Sequence, residues 1–339
     1  MAKNILFRVD AGGKIGLGHF FRSMTLANEL ASNSYEISFT FRSSDFWDKT
    51  MKSGFKYTTY PLSENDLYVS ELDIIKYKKF DLIYVDGFIN YAPAFLKKIK
   101  AHNIRIVFYQ NLTDSRIYSD VFILPSIHQK ESFFNAFNDS TKVYSGLKYF
   151  TFSEKLLKLD KKSYESGEIN SVAITGGGSD PKNVLLTWYH IFINNKFDNL
   201  KFTFYYGVDY SYKTTIPKAL KENIIWEEFN HRAILKNDLL ISAFGVSTYE
   251  FLVLGMLVIT FGHKTDNAMS SEFLANQTKA LISLGLMDNI DVDTAYNSLA
   301  ELSNNPAKVI EMVNRGNEIL DLRGVKRVSD IIKAELQDG

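Results

Sequence analysis

An alternation, run through twice, most constrains what this chain can fold into. NILFRV at 4–9, YEISFTF at 35–41, DLIYVD at 81–86 and IRIVFY at 104–109 are short β-branched and aromatic segments that read as buried strands. Helical patterns at 19–32 and 93–102 lie between them. The stretch 151–169, TFSEKLLKLDKKSYESGEI, is charged and lacks a clear strand. The rhythm then resumes with SVAIT at 171–175, KFTFYY at 201–206, NIIW at 223–226, LLIS at 239–242 and MLVITF at 256–261, spaced by helices at 182–195 and 246–255. Strands alternating with helices call for a parallel sheet with crossover helices. The expectation is an α/β chain of two Rossmann-like, doubly wound domains facing a cleft, 1–160 and 161–339. The second domain closes with an amphipathic helical stretch broken at Gly324.

Composition narrows the chemistry. Lys plus Arg (39) balances Asp plus Glu (39), so no net charge draws the chain to duplex nucleic acid or an anionic membrane. The absence of cysteine excludes disulfides, thiolate catalysis and cysteine-ligated metals. The longest apolar run, 251–261, is about half of the roughly 20 residues a spanning helix needs, so no stable membrane insertion is expected. MAKNILFRVDAGGK does not read as a signal peptide, and the expected compartment is the cytoplasm.

Ligands of open α/β sheets sit beyond the carboxyl ends of the strands. After the first strand comes DAGGKIGLGHFFR, with Gly12, Gly13, Gly16 and Gly18 around Lys14. Glycines permit sharp bends and close approach to a ligand, and a following helix N-terminus favours an anion. His19 at the turn is a candidate general acid or base, with Asp10 placed to orient it and Arg22 one turn on. The alternative is a glycine-rich turn with an exposed histidine. The spacing fits neither GxGxxG nor a P-loop. In the second half, Gly176, Gly177, Gly178 and Ser179 precede Asp180 and Pro181, a helix-start signal with more glycine than capping requires. Gly245 turns into a helix whose Ser247 and Thr248 suit a diphosphate. Glu250 suits ribose hydroxyls, or else only complements the helix dipole. The polar stretch 263–277 reads as a loop over a ligand, with His263, Asp266 and Asn267 as contacts and Asn276 and Gln277 on or after a helix.

Together these segments resemble the hydrolases of pseudaminic acid biosynthesis that act on UDP-2,4-diacetamido-2,4,6-trideoxy-β-L-altropyranose. FRVDAGGKIGLGHFFRSMTLANEL looks like the opening of that family, with Arg8, Asp10, Ile15, Gly16, Gly18, His19 and Arg22 in its I-G-x-G-H segment and flanks. GGGSDPKN, ISAFGVSTYEFLVLGMLVITF and LDLRGVKRVSDII resemble its later segments. The resemblance implies a GT-B architecture like that of the glycosyltransferase adding N-acetylglucosamine to the peptidoglycan lipid precursor. It also implies a UDP-sugar substrate held mainly by the C-terminal domain, His19 as the catalytic histidine with Asp10 or Asp86 beside it, and no metal or cofactor. Gln110 and Asn111 stand where members often carry two aspartates. Gly12 replaces a serine, and Gly87-Phe88-Ile89 follows Asp86 where a bulkier polar residue is usual. Gln110, Asn111 and Tyr149 are thus the expected sugar-side contacts. Water as acceptor gives a hydrolase; a hydroxyl acceptor on the same fold gives a glycosyltransferase.

Overall fold

The computed structural model describes residues 3–12, 15, 17–63, 67–193, 199–218 and 220–337. The chain divides into two compact units, residues 1–157 with 322–339, and residues 158–321. Each is a wholly parallel α/β sheet among the described residues, as the alternation predicts.

The sheet of the first unit contains β1 (Asn4–Val9), β2 (Glu36–Arg42), β3 (Thr58–Leu62), β4 (Leu82–Asp86), β5 (Arg105–Tyr109), β6 (Val121–Leu124) and β7 (Lys142–Ser145), in the order β3-β2-β1-β4-β5-β6-β7. Successive strand residues face opposite sides of a sheet. Phe7, Val9, Phe39 and Tyr84 therefore pack on one side with Leu26, Leu30 and Trp47, while Leu6, Ile83, Val85 and Phe108 pack on the other with Tyr91, Phe95 and Ile99. With both faces covered, the inner strands read as continuous apolar runs. The order reverses between β1 and β4, so the crevice beyond their carboxyl ends is the topological switch point.

The last helix, Gly324–Gln337, belongs to this first unit, which corrects the expected division that left it with the second. Val325, Val328, Ile332 and Leu336 form an apolar stripe at helical spacing and bury themselves in the β1-side core against the helix Gly18–Ala31. Lys142 Nζ donates to the buried Glu335 carboxylate at 2.7 Å. Gly324, which the sequence marks as a break, starts the helix where the chain passes the Phe150 backbone: a Cβ there would lie 2.0 Å from the Phe150 carbonyl oxygen.

The second unit holds β8 (Ser171–Thr175), β9 (Lys201–Tyr206), β10 (Ile224–Glu228), β11 (Leu239–Ala243), β12 (Leu257–Gly262) and β13 (Leu281–Leu286), ordered β10-β9-β8-β11-β12-β13. Its switch point lies between β8 and β11. Val172, Ile174, Phe202, Phe204, Ile241 and Ile259 build the core with Trp188 and Phe192 of the helix Val184–Ile193. The stretch expected as a loop over a ligand is instead mostly the helix Thr265–Thr278. It packs on β12 and β13 through Ala268, Ser271 and Leu274, and the Ser271 hydroxyl lies against Thr260 and bonds Ser283.

Gly324→Ala is expected to lower stability by about 1–3 kcal/mol, as overpacking does, despite alanine's higher helix propensity. Urea denaturation of the variant beside the native chain measures it.

Candidate functional site

Asp86 ends β4 and lies almost wholly buried at the first switch point. Three side chains converge on its carboxylate with four hydrogen bonds. Arg22 donates from Nε to Oδ2 at 2.8 Å and from Nη2 to Oδ1, the Ser23 hydroxyl donates to Oδ2 at 2.9 Å, and His19 Nδ1 lies 2.8 Å from Oδ1. Residues 19, 22 and 23 are three and four apart, so one face of the helix Gly18–Ala31 presents all three. Burial alone would raise the Asp86 pKa. The Arg22 charge and the hydrogen bonds from Arg22 and His19 outweigh it and bring the carboxyl down to about 2.

Arg22 Nη2 also stands 2.7 Å from His19 Nδ1, which leaves two placements of the imidazole proton. An ionised carboxylate accepts more strongly than a neutral ring nitrogen, and Arg22 already has Asp86 to donate to. The proton is therefore assigned to Nδ1, donating to Asp86, and Nε2 keeps its lone pair as a base. Gly87 makes room for the ring: its φ is +103°, and a Cβ there would sit 3.3 Å from His19 Cε1 and Nδ1. The sequence marks His19, Arg22 and Asp86. Ser23 and the spatial role of Gly87 it does not, although Ser23 stands four residues after His19, on the same helix face.

Other first-unit expectations need correction. Asp10 does not orient His19. Arg8 and Asp10, two apart at a strand end, share one side of the sheet and form a buried bidentate pair. Asp10 Oδ1 also accepts the Arg42 backbone N–H at 2.8 Å. Burial opposes its charge, yet Arg8 holds its pKa below the ordinary value. Glu71, beside Arg8, is pushed up by burial and accepts the Tyr91 hydroxyl at 2.6 Å.

Asn111 is fully buried and spent internally. It donates to the Ile89 carbonyl at 2.7 Å and accepts from the Thr113 N–H and hydroxyl. Tyr149 packs in the core beside Tyr144, and its carbonyl accepts the Tyr109 hydroxyl. Gln110 does reach the site: with φ at +53°, it accepts Arg22 Nη1 at 2.6 Å. Gly18 opens the helix with free space around it. Gly13, Lys14 and Gly16 lie outside the described residues.

In the second unit, the glycine turn follows β8. Gly177 has φ at +89°, and Gly177 and Gly178 both border open space. Ser179 is exposed at the turn. Gly176 is needed for packing, since a Cβ would lie 2.5 Å from Asp180 Cγ. The helix begins at Val184, not at Pro181. Asp180 reaches forward to cap it, accepting the N–H groups of Val184 and Leu185 at 2.8 and 3.0 Å.

After β11, Gly245 donates its N–H to Thr248 Oγ1 at 3.3 Å. Thr248 is fully buried and its hydroxyl caps the helix, so it does not face a ligand as expected. Ser247 stays half-buried in the first turn. Glu250, the expected ribose contact, accepts from His231 Nε2 through Oε2 at 3.2 Å. The His231 ring stacks on Phe251, a contact between residues twenty apart that no local spacing suggests.

His263 donates from Nε2 to the Gly176 carbonyl at 2.8 Å, tying the β12 end to the glycine turn, and its buried Nδ1 has no partner. Asp266 and Asn267 occupy the first turn of Thr265–Thr278. Among the described residues no three His, Asp or Glu side chains gather as a metal site.

Known proteins place this geometry in context. No protein-family model matches the chain. An uncharacterized protein of Methanocaldococcus jannaschii is 24% identical over 347 residues, 97% of this chain and 69% of that protein. Among solved structures, MurG of Acinetobacter baumannii superposes with a TM-score of 0.70 at 12% identity, over 98% of this chain and 99% of that one. The glycosyltransferase of kitacinnamycin gives 0.70 at 13%, over 99% and 100%. UDP-GlcNAc 2-epimerase from Neisseria meningitidis, bound to UDP-GlcNAc, gives 0.62 at 13%, over 98% and 100%. At such identities the likeness is one of fold: a two-domain, Rossmann-like α/β chain built as glycosyltransferases and UDP-GlcNAc 2-epimerases are.

The carboxyl of Asp86 sits near 2 in the fold and near 3.9 when unfolded. Its ionised form therefore stabilises the chain above about pH 4, and that contribution disappears as pH falls through 2. Asp86→Asn is expected to be less stable at pH 7 and to lose about 2 kcal/mol less than the native chain between pH 5 and 2. Urea denaturation across that range checks the slope.

Proposed function

We propose that this chain hydrolyses a UDP-linked amino-sugar to UDP and the free sugar. One observation carries the reading: a histidine held by a buried, ionised aspartate, with its second ring nitrogen left as a base at a switch point. His19 Nε2 takes a proton from water, the resulting oxygen nucleophile bonds to the anomeric carbon, and the bond from that carbon to the UDP oxygen breaks. UDP departs as the anion. The second unit would hold it, at the glycine turn where Gly177 and Gly178 border open space and at the helix start beside Ser247. The resemblance of the I-G-x-G-H segment supports a diacetamido-trideoxy sugar of nonulosonic acid synthesis as substrate, and with it a cytoplasmic setting.

A second reading has an observation of its own. Ile15, Leu17 and Phe21, around the start of the helix that carries His19, are 52%, 38% and 39% exposed, and Phe88, next to Gly87, is 64% exposed. An apolar fringe near the base suits an acceptor with apolar parts, in which case His19 would deprotonate a hydroxyl and the chain would be a glycosyltransferase. UDP release from a panel of UDP-amino-sugars, with and without acceptors, separates the two. Release in water alone is the expected result, and consumption only in the presence of a hydroxyl acceptor establishes the transferase.

His19→Asn is expected to cut turnover by about 10²–10⁴-fold, the usual worth of a general base. Calorimetry should find its UDP affinity unchanged. Glu250→Ala is expected to weaken UDP binding by roughly 10–100-fold, the loss of a hydrogen bond to a charged group. Unaltered affinity would leave Glu250 as no more than the partner of His231.

A further inference from the structure

A cavity of about 510 Å³ opens in the first unit at the amino-terminal ends of β1, β4 and β5. It lies at the opposite ends of these strands from Asp86, roughly 15–20 Å away at about 3.3 Å per strand residue. Ile75, Phe80, Ile104 and Leu336 are buried at its floor, and the volume is that of a small-molecule site.

Its rim is lopsided in charge. Lys3, Lys76, Lys79, His102 and Arg105 line it, against two carboxylates, Asp81 and Glu335. Both acids are already engaged: Asp81 pairs with Lys3 at 3.2 Å, and the buried Glu335 with Lys142 at 2.7 Å. Among the described residues no carboxylate stands within 4 Å of the charged atoms of Lys76, Lys79, His102 or Arg105. The next acid along this edge, Asp120, is taken by Lys100 at 2.9 Å. The whole chain carries no net charge, yet Lys76, Lys79, Arg105 and His102, none with an acidic partner among the described residues, line one concave site. Like charges held together raise the local potential, and a cavity wall of low dielectric focuses it.

We propose that this cavity is a second ligand site, separate from the His19 centre, that takes a small phosphoryl-bearing anion. A single carboxylate would leave most of the cationic surplus unmatched, whereas a phosphoryl group offers two charges and three acceptor oxygens. The cavity is walled by the helix Leu67–Lys78, the strand starts and the last helix, so an occupant ties the last helix to the sheet it covers.

Inorganic pyrophosphate is the probe, added to the full chain and followed by hydrogen–deuterium exchange and calorimetry. Binding should slow exchange at residues 75–81 and 102–105 and weaken as salt is raised. A Lys76→Glu, Lys79→Asn double variant should lose at least about tenfold in pyrophosphate affinity and keep its affinity for UDP. Both positions are exposed, and asparagine tolerates the left-handed backbone of Lys79, whose φ is +52°.

Protection confined to other segments, or pyrophosphate affinity equal in variant and native chain, overturns the proposal. Phosphatidylglycerol vesicles supply the same chemistry on a lipid. Co-sedimentation with them that the variant abolishes, without protection by pyrophosphate, also overturns it, in favour of a headgroup at a membrane surface. The exchange measurement uses the native chain, so it decides the matter even where the variant misfolds.

Discussion

The buried Asp86–Arg22 pair is the interaction on which the first unit's chemistry depends. Neither charge is tolerable alone at that depth, because breaking a buried pair leaves one ion uncompensated, at a cost of about 3–5 kcal/mol. The pair is held by more than its own attraction. Ser23 satisfies a further Asp86 lone pair, Gln110 takes an Arg22 proton, and the Tyr109 ring lies 4.9 Å from the guanidinium. Once fixed, it gives His19 both a hydrogen-bond acceptor and a direction. Helix Gly18–Ala31 is thus bound to the sheet twice, by its apolar face in the core and by this polar anchor at its start.

The second unit repeats the topology without repeating the chemistry. Its switch point collects glycines and main-chain turns where the first collects side-chain charge. His263 and Asp180 act there on the main chain, one bonding a glycine carbonyl and the other capping a helix. Such a surface suits an anion recognised by its charge and shape.

Most inner strands are legible because burial on both faces makes them continuous apolar runs, and the edge strand β10 is legible too. The inner β6, only four residues long, is not, nor are the edge strands β3, β7 and β13. β3 carries Pro61, β7 is four residues with exposed polar ends, and β13 contains Gly285, all features that edges tolerate and central strands do not. The helix Thr265–Thr278 is legible only near its end because its buried face is Ala268, Ser271 and Leu274, small and polar enough to read as a loop. At the site, residue types in the chain named His19, Arg22 and Asp86. They could not say which aspartate meets His19, since Asp10 and Asp86 both end strands. The difference lies in Arg8, which claims Asp10 from two residues away on the same side of the strand.

Gln110 and Asn111 take on a different meaning once their partners are known. At position 111 the side chain must both donate to the Ile89 carbonyl and accept from Thr113, in full burial. An amide does both without charge, whereas a carboxylate can only accept and would bring an unpaired charge into the core. At 110 a carboxylate would draw on the same guanidinium that neutralises Asp86 and set a second anion beside His19. Among the described residues, the amide leaves Asp86 as the only carboxylate bonded to Arg22. Both departures from the acidic pair therefore follow from the internal bonding of this unit, and under the proposed reading selectivity has to be sought in the groups that remain exposed near His19. Phe88 is foremost among these, on the turn whose glycine makes room for the imidazole.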